Sequence, residues 1–342
     1  MMIRIIMGFC MKKRNAKKIV TWIIVPLMIA IFLLDIITVV LCNRYARRYE
    51  FEAETFSLES GDDRIHFLNT ANSDAILLES NGKFALIDSG EGDSNPRRET
   101  EYEGYEEEVI AYLKKVASDS KGTVNLEFIF GTHCHYDHIG SFEAIISDPD
   151  IVISKAYFKE FDPMIAKDYE VKSWLINETY NRIINALTVR NIDIISEIPD
   201  TAVFGDFNLE FFNTVTPKEL EGKGENASSV GIKVTKGDKS AFLAADITKS
   251  CGLEQLLGDK IGDVDILKAG HHGYYGSSSA AYLKKLKPEM IIVTNQLGKV
   301  YPNVKWNFTM VAKAAFYATY DKNGIIATFT DSGEILMTEN IH

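Results

Sequence analysis

Several residue types are scarce in this chain, and each shortage excludes a class of protein. Four of the 342 residues are Cys, and only Cys134 and Cys251 follow the apolar N-terminal segment, so we expect no disulfide-stabilised scaffold. Proline is limited to eight residues, and no Pro- or Ser-rich linker, sequence repeat or low-complexity tract divides the rest of the chain. About 280 residues without such a break are typical of one α/β domain.

Basic residues are also in deficit, with 37 Lys and Arg against 48 Asp and Glu. Residues 1–50 contain nine Lys or Arg and two Asp or Glu, a charge of +7, so the remainder must hold −18 to give the total of −11. Proteins that bind nucleic acid broadly present a basic stripe that releases counterions. The acidic remainder therefore disfavours nucleic acid as a partner.

Four lysines in the last third of the chain have two interpretations. They form a basic patch beside a pair of histidines, or they lie on the solvated face of a helix predicted over residues 277–286, and we favour the second. They are Lys268, Lys284, Lys285 and Lys287.

Histidine is scarce as well, yet the seven histidines are not scattered. His133, His135 and His138 fall within six residues, together with Asp137, directly after the apolar run of residues 126–130. If that run is a buried strand, the first two histidines project to the same side at its end, and the other two residues lie in a turn before a helix. Imidazole nitrogens and carboxylate oxygens are ligands of zinc and similar metals. This density predicts a site for two metal ions rather than a polar loop.

A second cluster, His271 and His272, lies between two glycines at the end of another apolar run. Between the clusters, the apolar run of residues 239–245 ends in Asp246. Such a carboxylate either caps a helix that begins at residue 247, or bridges two cations and lowers their mutual repulsion. Its place after a strand and between the two clusters favours the bridging role.

Together these motifs resemble the metallo-β-lactamase superfamily, and within it the hydrolase domain of ComEC-type competence proteins. The resemblance spans residues 62–335 and implies an α/β fold, an αββα four-layer sandwich with the site where the strand ends converge. It is carried by the His-x-His-x-Asp-His run at 133–138, the strand-terminal Asp246, Gly-His-His-Gly at 270–273, the Asn- and Ser-containing segment 226–230, and the hairpin 72–90 with its Asp88-Ser89-Gly90.

The resemblance implies two divalent metal ions, zinc or, as an alternative, manganese. His133 and His135 would hold one ion, and Asp137 and His138 would hold the other. Asp246 would bridge them.

One member of the pair His271 and His272 would complete the second site while the other faces the substrate, and the choice between them is open. Asp88 would support the ligands through hydrogen bonds. The superfamily often supplies a further histidine to the first metal from the middle of the chain. This sequence has no histidine between His138 and His271, so water or a carboxylate is expected there.

The implied activity is hydrolysis, in which two cations activate a water, polarise the scissile group and offset charge in the transition state. Asp137 and Asp246 would orient the water, and one of His271 and His272 would act on the leaving oxygen. The ComEC-like pattern favours a phosphodiester, either extracellular DNA or a cell-envelope unit such as a teichoic acid or phosphorylcholine. The alternatives are a β-lactam or thioester hydrolase and a catalytically silent binding domain.

Two departures from the ComEC-type pattern put that family's substrate in doubt. Tyr274 and Tyr275 stand where a Ser is expected after His-His-Gly. The segment 296–302 keeps only Tyr301 and Pro302 of an Asn-x-Tyr-Gly-His-Pro turn.

Residues 19–42 are almost continuously apolar and, at about 1.5 Å per residue, long enough to cross a hydrocarbon core of about 30 Å. We predict one transmembrane helix, since Pro26 is tolerated in membranes and Asp35 costs about 2–3 kcal/mol. A cleaved signal peptide is the alternative. It is disfavoured because the run is long and no Ala-x-Ala-like site follows.

The charges that flank this segment predict its orientation. Six Lys or Arg precede it, whereas the three Arg that follow are succeeded at once by glutamates. The positive-inside rule then favours a cytoplasmic tail over residues 1–18, a linker over 43–60 and an extracellular hydrolase domain over 61–342, anchored to the plasma membrane.

Other elements follow from hydrophobic periodicity. Helical spacing covers residues 104–118 and 170–190, and the acidic stretch 91–108 is predicted to be a surface loop that leads into the first of these helices. Strands are predicted over residues 151–157, 207–212, 290–294 and 325–329.

Overall fold

The computed structural model describes residues 20–49, 51, 61–97 and 103–342. These residues fall into two compact units that divide after Tyr45. The predicted basic tail, the first residue of the predicted transmembrane segment, most of the predicted linker and part of the acidic loop lie outside the described residues.

The first unit is a single apolar helix. A π-helical turn at Val20–Ile24 continues into α1, Val25–Tyr45. Thr21–Tyr45 is long and apolar enough to cross a membrane, judged by length and composition.

The second unit contains two β-sheets. The first sheet has the order β16-β15-β1-β2-β3-β4-β6-β7, with β5 paired to β4. Its strands are β1 Asp63–Phe67, β2 Ala75–Ser80, β3 Lys83–Ser89, β4 Val124–Gly131, β5 Ile151–Ile153, β6 Lys155–Phe158, β7 Asp193–Ile195, β15 Ile325–Phe329 and β16 Ile335–Glu339.

The second sheet has the order β14-β13-β12-β11-β10-β9-β8. Its strands are β8 Thr201–Phe204, β9 Phe207–Phe212, β10 Gly231–Lys236, β11 Lys239–Leu243, β12 Ile266–Lys268, β13 Met290–Val293 and β14 Ala315–Ala318.

Helices cover the outer faces of both sheets. Those of the first half are α2 Glu106–Ala117, α3 Tyr136–Ile139, α4 Phe142–Ser147, α5 Asp168–Lys172 and α6 Ile176–Val189. Those of the second half are α7 Leu253–Ile261, α8 Ala280–Leu286, α9 Pro302–Trp306 and α10 Thr319–Lys322.

Three apolar cores define a four-layer αββα arrangement. The central core lies between the sheets, where Phe130 stacks on Phe211 with ring centroids 5.4 Å apart. A second core joins the other face of the first sheet to α2, α4 and α6, and a third joins the second sheet to α7 and α8. Successive strand residues alternate between these cores: Ile76 and Leu78 face the central core, whereas Leu77 faces the helices.

Three predicted elements differ from the structure. The strand predicted over 151–157 is two strands, because β5 pairs with the first half of β4 and β6 with its second half. The helix predicted over 170–190 is two helices, interrupted at Leu175, which has a left-handed φ of 53°. Lys268 is neither in a basic patch nor on a wet helix face: it lies at the end of β12 and is fully buried.

The parallel strands place their carboxyl ends at one edge of the molecule. β3 and β4 are parallel in the first sheet, and β11, β12 and β13 are parallel in the second. The loops that leave these ends therefore converge, as at the ligand sites of other open α/β sheets.

Candidate metal centre

His133 and His135 lie directly beyond the carboxyl end of β4. The Nε2 atom of His133 is 3.1 Å from the Nδ1 atom of His135, and both rings are buried. Thr132 fixes the backbone where it leaves β4, because its N–H and its hydroxyl each donate to Asp88 at 2.8 Å. The structure thus brings the two rings together, with one nitrogen of each aimed at a common point.

Asp137 and His138 do not precede a helix, as the sequence suggested, but lie inside the single helical turn α3. That turn begins immediately after the extended backbone of His135. It brings the ring of His138 to 4.2 Å from that of His133, between centroids. The Nδ1 atom of His138 is 2.7 Å from Asp88, so this ring directs Nε2 inward.

Asp246 stands where the loops from both sheets meet. The next helix, α7, begins only at Leu253, so Asp246 does not cap a helix at residue 247. Its Oδ1 atom is 3.2 Å from Nε2 of His138, and its Oδ2 atom is 3.7 Å from Nε2 of His133. Each carboxylate oxygen therefore faces a different histidine of the first cluster, which is the geometry a bridging ligand needs.

The structure separates the two members of the second histidine pair. His272 is fully buried, with Nε2 3.4 Å from Asp246 and 3.6 Å from Asp137. His271 has a side chain 31% exposed and lines the open cavity in front of the centre. His272 therefore lies among the candidate metal ligands, whereas His271 faces the cavity.

The turn that carries His271 and His272 has a strained backbone. His271 and His272 have φ values of 48° and 50°, in the left-handed region that side chains disfavour. A Cβ at Gly270 would lie 2.1 Å from the carbonyl oxygen of Ile247, so only glycine allows the turn to approach so closely.

Three groups of ligand-type atoms each lie close enough together to hold a metal ion. The first is His133, His135 and Asp246, the second is Asp137, His138 and His272, and the third is Asp74, Asp88 and His138, which shares His138 with the second.

Unsatisfied buried atoms support this arrangement. The Nε2 atoms of His138 and His272 and Oδ1 of Asp246 are buried and lack a hydrogen bond of good geometry within the part of the chain that the structure describes. Buried polar atoms are normally satisfied. Imidazole nitrogens and carboxylate oxygens left in this state fit divalent cations of the zinc class.

The charges of the centre suit a bound cation. Burial lowers the pKa of His133 far below its ordinary value, so the ring is neutral, as a ligand must be. Burial would also lower the pKa of His138, but the carboxylates of Asp246, Asp88 and Asp74 outweigh it and raise that pKa well above its ordinary value. The carboxylates thus create a surplus of negative charge that a metal ion would neutralise.

The sequence analysis assigned no role to Asp74 and placed Lys268 in a basic patch or on a solvated helix face. The two form a buried ion pair behind His272, and Lys268 also donates to the carbonyl oxygen of Ala245 at 3.0 Å. The partners are 194 residues apart in sequence. The apolar surroundings of Lys268 in the sequence were the signal that this lysine is not on the surface.

The first ligand group is bordered by a carboxylate that the sequence reasoning also missed. Glu170 is buried, with Oε1 3.4 Å from Nε2 of His135. Its other oxygen accepts from the N–H groups of Lys167 and Glu225 at 2.6 and 3.1 Å. Glu170 therefore faces the outer nitrogen of His135, while Nδ1 of the same ring lies on the side of His133. Glu170 thus lies beside the first ligand group, for which the sequence analysis expected water or a carboxylate in place of a further histidine.

A cavity of about 540 Å³ opens in front of the centre. Asp137, Asp246 and His271 reach it from the metal-ligand side, and Tyr169, Trp174 and Tyr274 contribute aromatic walls. Four cationic side chains also line it: Arg97, Lys167, Lys223 and Lys299. None of the lysines predicted as a patch is among them; Lys285 and Lys287 instead pair with Asp259 and Asp263.

The sequence of the chain matches a known protein family. The family model for the metallo-beta-lactamase superfamily matches residues 68–294, more than half of the chain. The chain belongs to the metallo-β-lactamase superfamily. The family expectation drawn from the motifs is thereby confirmed, as is the fold, and metal-dependent hydrolysis is the activity class that accompanies this membership.

Two curated relatives are similar over part of their length. ComE operon protein 3 of Bacillus subtilis is 24% identical over 246 residues, which are 64% of this chain and 29% of that protein. Recombination protein 2 of Haemophilus influenzae is 29% identical over 84 residues, 25% of this chain and 10% of that protein. The chain thus spans less than a third of the curated relatives it matches.

Two solved structures are similar at low identity. The metallo-beta-lactamase fold protein YhfI of Bacillus subtilis is 13% identical with a TM-score of 0.46, covering 76% of this chain and 96% of its own. Zn(2+)-bound PqqB of Methylobacterium extorquens is 11% identical with a TM-score of 0.43, covering 72% and 84%.

Proposed function

We propose that this metallo-β-lactamase superfamily member is a membrane-anchored phosphodiesterase that binds two divalent metal ions, zinc or manganese. One observation carries the proposal: two groups of metal-ligand atoms, with Asp246 facing histidines of both, lie behind a cavity that four cationic side chains and three carboxylates line. The domain as a whole is strongly acidic, so four cationic side chains gathered beside the carboxylate-rich ligand groups need a reason. An anionic substrate supplies one.

When bound, two metal ions would supply Lewis acidity and an activated water. His133, His135 and Asp246 would hold the first ion, and Asp137, His138, His272 and the other oxygen of Asp246 would hold the second. Asp137 would orient the attacking water by accepting its hydrogen bond with the carboxylate oxygen that holds no ion, and Asp246 would fix the position of that water by holding both ions.

His271 acts from the cavity side. Burial lowers the pKa of His271, so its ring is neutral near pH 7 and carries one N–H. This N–H would donate a hydrogen bond to the leaving oxygen as the P–O bond breaks.

The cationic side chains favour a phosphodiester over a neutral substrate. Arg97 is held between the rings of Tyr136 and Trp174, 5.8 and 5.7 Å from their centroids, and pairs with Glu91 at 3.1 Å. Its guanidinium group lies 3.6 Å from the Oδ1 atom of Asp137. Arg97 is thus fixed beside a metal ligand, where it would contact a non-bridging phosphoryl oxygen.

Duplex DNA is a poorer candidate than a short phosphodiester. A duplex would have to lay many phosphates along an acidic surface, whereas the favourable charges are confined to one cavity. At physiological salt the screening length is about 8 Å, so a single phosphodiester reaches the cavity with little repulsion. A cell-envelope phosphodiester agrees with the external placement that the basic N-terminal flank favours.

The test compares small and large phosphodiesters. The full-length chain, purified in mild detergent, should hydrolyse bis-p-nitrophenyl phosphate readily and duplex DNA poorly at matched metal and salt. The variant Asp246→Ala should be inactive, whereas Asp265→Asn, a change remote from the centre, should retain activity. Efficient DNA cleavage with negligible turnover of the small diester would restore the nuclease interpretation, and hydrolysis of nitrocefin alone would favour a β-lactam substrate.

A further inference from the structure

We propose that Asp74, which belongs to neither of the first two metal-ligand groups, is a positioning residue that orients His272 for the second metal ion through Thr294. The inference rests on the proposed metal centre. It concerns residues that the motifs did not assign: the carboxylate that precedes β2, the residue after β13, and the lysine that ends β12.

The hydrogen-bond geometry forms a directed relay. Nδ1 of His272 lies 3.1 Å from the Thr294 hydroxyl and 3.3 Å from Oδ1 of Asp74. The Thr294 hydroxyl in turn donates to Oδ1 of Asp74 at 2.5 Å. Since that hydroxyl hydrogen is committed to Asp74, the hydroxyl oxygen accepts from the Nδ1–H of His272. The ring is therefore held in the tautomer that leaves the Nε2 lone pair free for a metal.

Burial shields these hydrogen bonds from water. Asp74, Thr294, His272 and Lys268 are all at most 1% exposed, so water does not compete for these atoms. The ring of His272 also sits on a left-handed backbone, with φ of 50°, a conformation that persists only where surrounding contacts enforce it. The Asn295 side-chain amide adds a further restraint by donating to the carbonyl oxygen of His272 at 3.0 Å.

Lys268 has a separate task, which is to keep Asp74 charged. Burial would raise the pKa of Asp74, but Lys268 and the neighbouring histidines lower it below its ordinary value. The same ammonium group argues against a third metal ion on Asp74, Asp88 and His138, although their ligand atoms lie close together. Asp74 is thus an acceptor for the His272 relay and not itself a metal ligand.

The ion pair of Asp74 and Lys268 also joins the two sheets beside the metal centre. The backbone N–H of Asp74 donates to the carbonyl oxygen of Asp137 at 3.0 Å, while its side chain reaches β12 and β13. A single residue therefore connects the loop that carries Asp137 and His138 to the loop that carries His272.

The experiment must separate orientation of His272 from simple stabilisation by the ion pair. Asp74→Asn leaves a buried ammonium without its partner, and Lys268→Met leaves a buried carboxylate without its partner, so both should destabilise the fold. The double variant Asp74→Asn/Lys268→Met removes both charges and should recover much of that stability. Asp63→Asn is the matched control, because Asp63 on β1 pairs with Lys236 on β10 at 2.7 Å and so also joins the two sheets, away from the centre.

Metal binding is the decisive readout. Full-length protein in mild detergent would be titrated with Zn²⁺ against a chromogenic chelator, and bound metal would be counted by mass spectrometry. We expect two equivalents in the unaltered chain and in Asp63→Asn. The double variant should fold and keep one site, while the affinity of the other falls about 10–100-fold.

Thr294→Val provides a second route if the charge variants fail to fold, since it removes the hydroxyl and leaves the ion pair intact. It should weaken the same site. Wild-type affinity at both sites in the double variant, or in Thr294→Val, would overturn the positioning role while leaving the proposed function intact. An unaltered chain that binds no metal would instead overturn the proposed function and this inference with it.

Discussion

Removing the Asp246 carboxylate should abolish the stabilisation that metal ions give to the fold. The two oxygens of this buried side chain lie 3.2–3.8 Å from Nε2 atoms of four histidines. A ligand that binds only the folded state stabilises it by about 4 kcal/mol when present at 1,000 times its Kd. Two occupied sites would then contribute about 8 kcal/mol, and Asp246→Ala should lose at least about 4 kcal/mol of this, because both sites lose their shared ligand and at least one should no longer be occupied.

The assay is guanidinium unfolding of the full-length chain in mild detergent, with and without Zn²⁺ at such a concentration. The unaltered chain should show a large metal-induced increase in the free energy of unfolding. Asp246→Ala should show at most half of it and retain at most one equivalent of metal. Asp265→Asn, which alters a carboxylate that is 21% exposed and paired with Lys239, should behave as the unaltered chain does. Two bound equivalents and an undiminished stabilisation in Asp246→Ala would refute the bridging role.

Three further outcomes are expected. Lys167→Gln combined with Lys223→Gln should raise KM for an anionic diester more than it lowers kcat, and the change in KM should shrink as salt rises. An equal decrease in kcat/KM for a neutral ester would refute the electrostatic role. Burial raises the pKa of Glu254 from 4.5 to about 7. As the pH rises, the unfolded chain therefore loses the carboxyl proton before the folded chain does, and the free energy of unfolding falls by up to about 3 kcal/mol between these two pH values. The stability of Glu254→Gln relative to the unaltered chain, from denaturant titrations, should therefore rise from pH 4.5 to pH 8, and a flat difference would contradict this shift. Protease added to intact cells should digest the domain after residue 50, and its full protection until lysis would contradict the external placement.

Local sequence determined much of the centre. The spacing of His133, His135 and His138 after an apolar run predicts a strand end with converging rings, because alternation in a strand and one helical turn act over a few residues. The same holds for Asp88 at the end of β3 and Asp246 after β11. These features depend on neighbours in the chain and can be recognised without knowing the fold.

Tertiary structure decided what depends on distant partners. His271 and His272 are adjacent and chemically identical, and only the position of Asp74 and Thr294 distinguishes the buried ligand from the residue that faces the cavity. Asp74 is 194 residues from Lys268 and 220 from Thr294, and the order of strands across two sheets brings them together. Residues 97, 167, 223 and 299 line one cavity for the same reason. Periodicity and motif spacing report short-range geometry, whereas the partners of a buried charge are set by how the sheets pack.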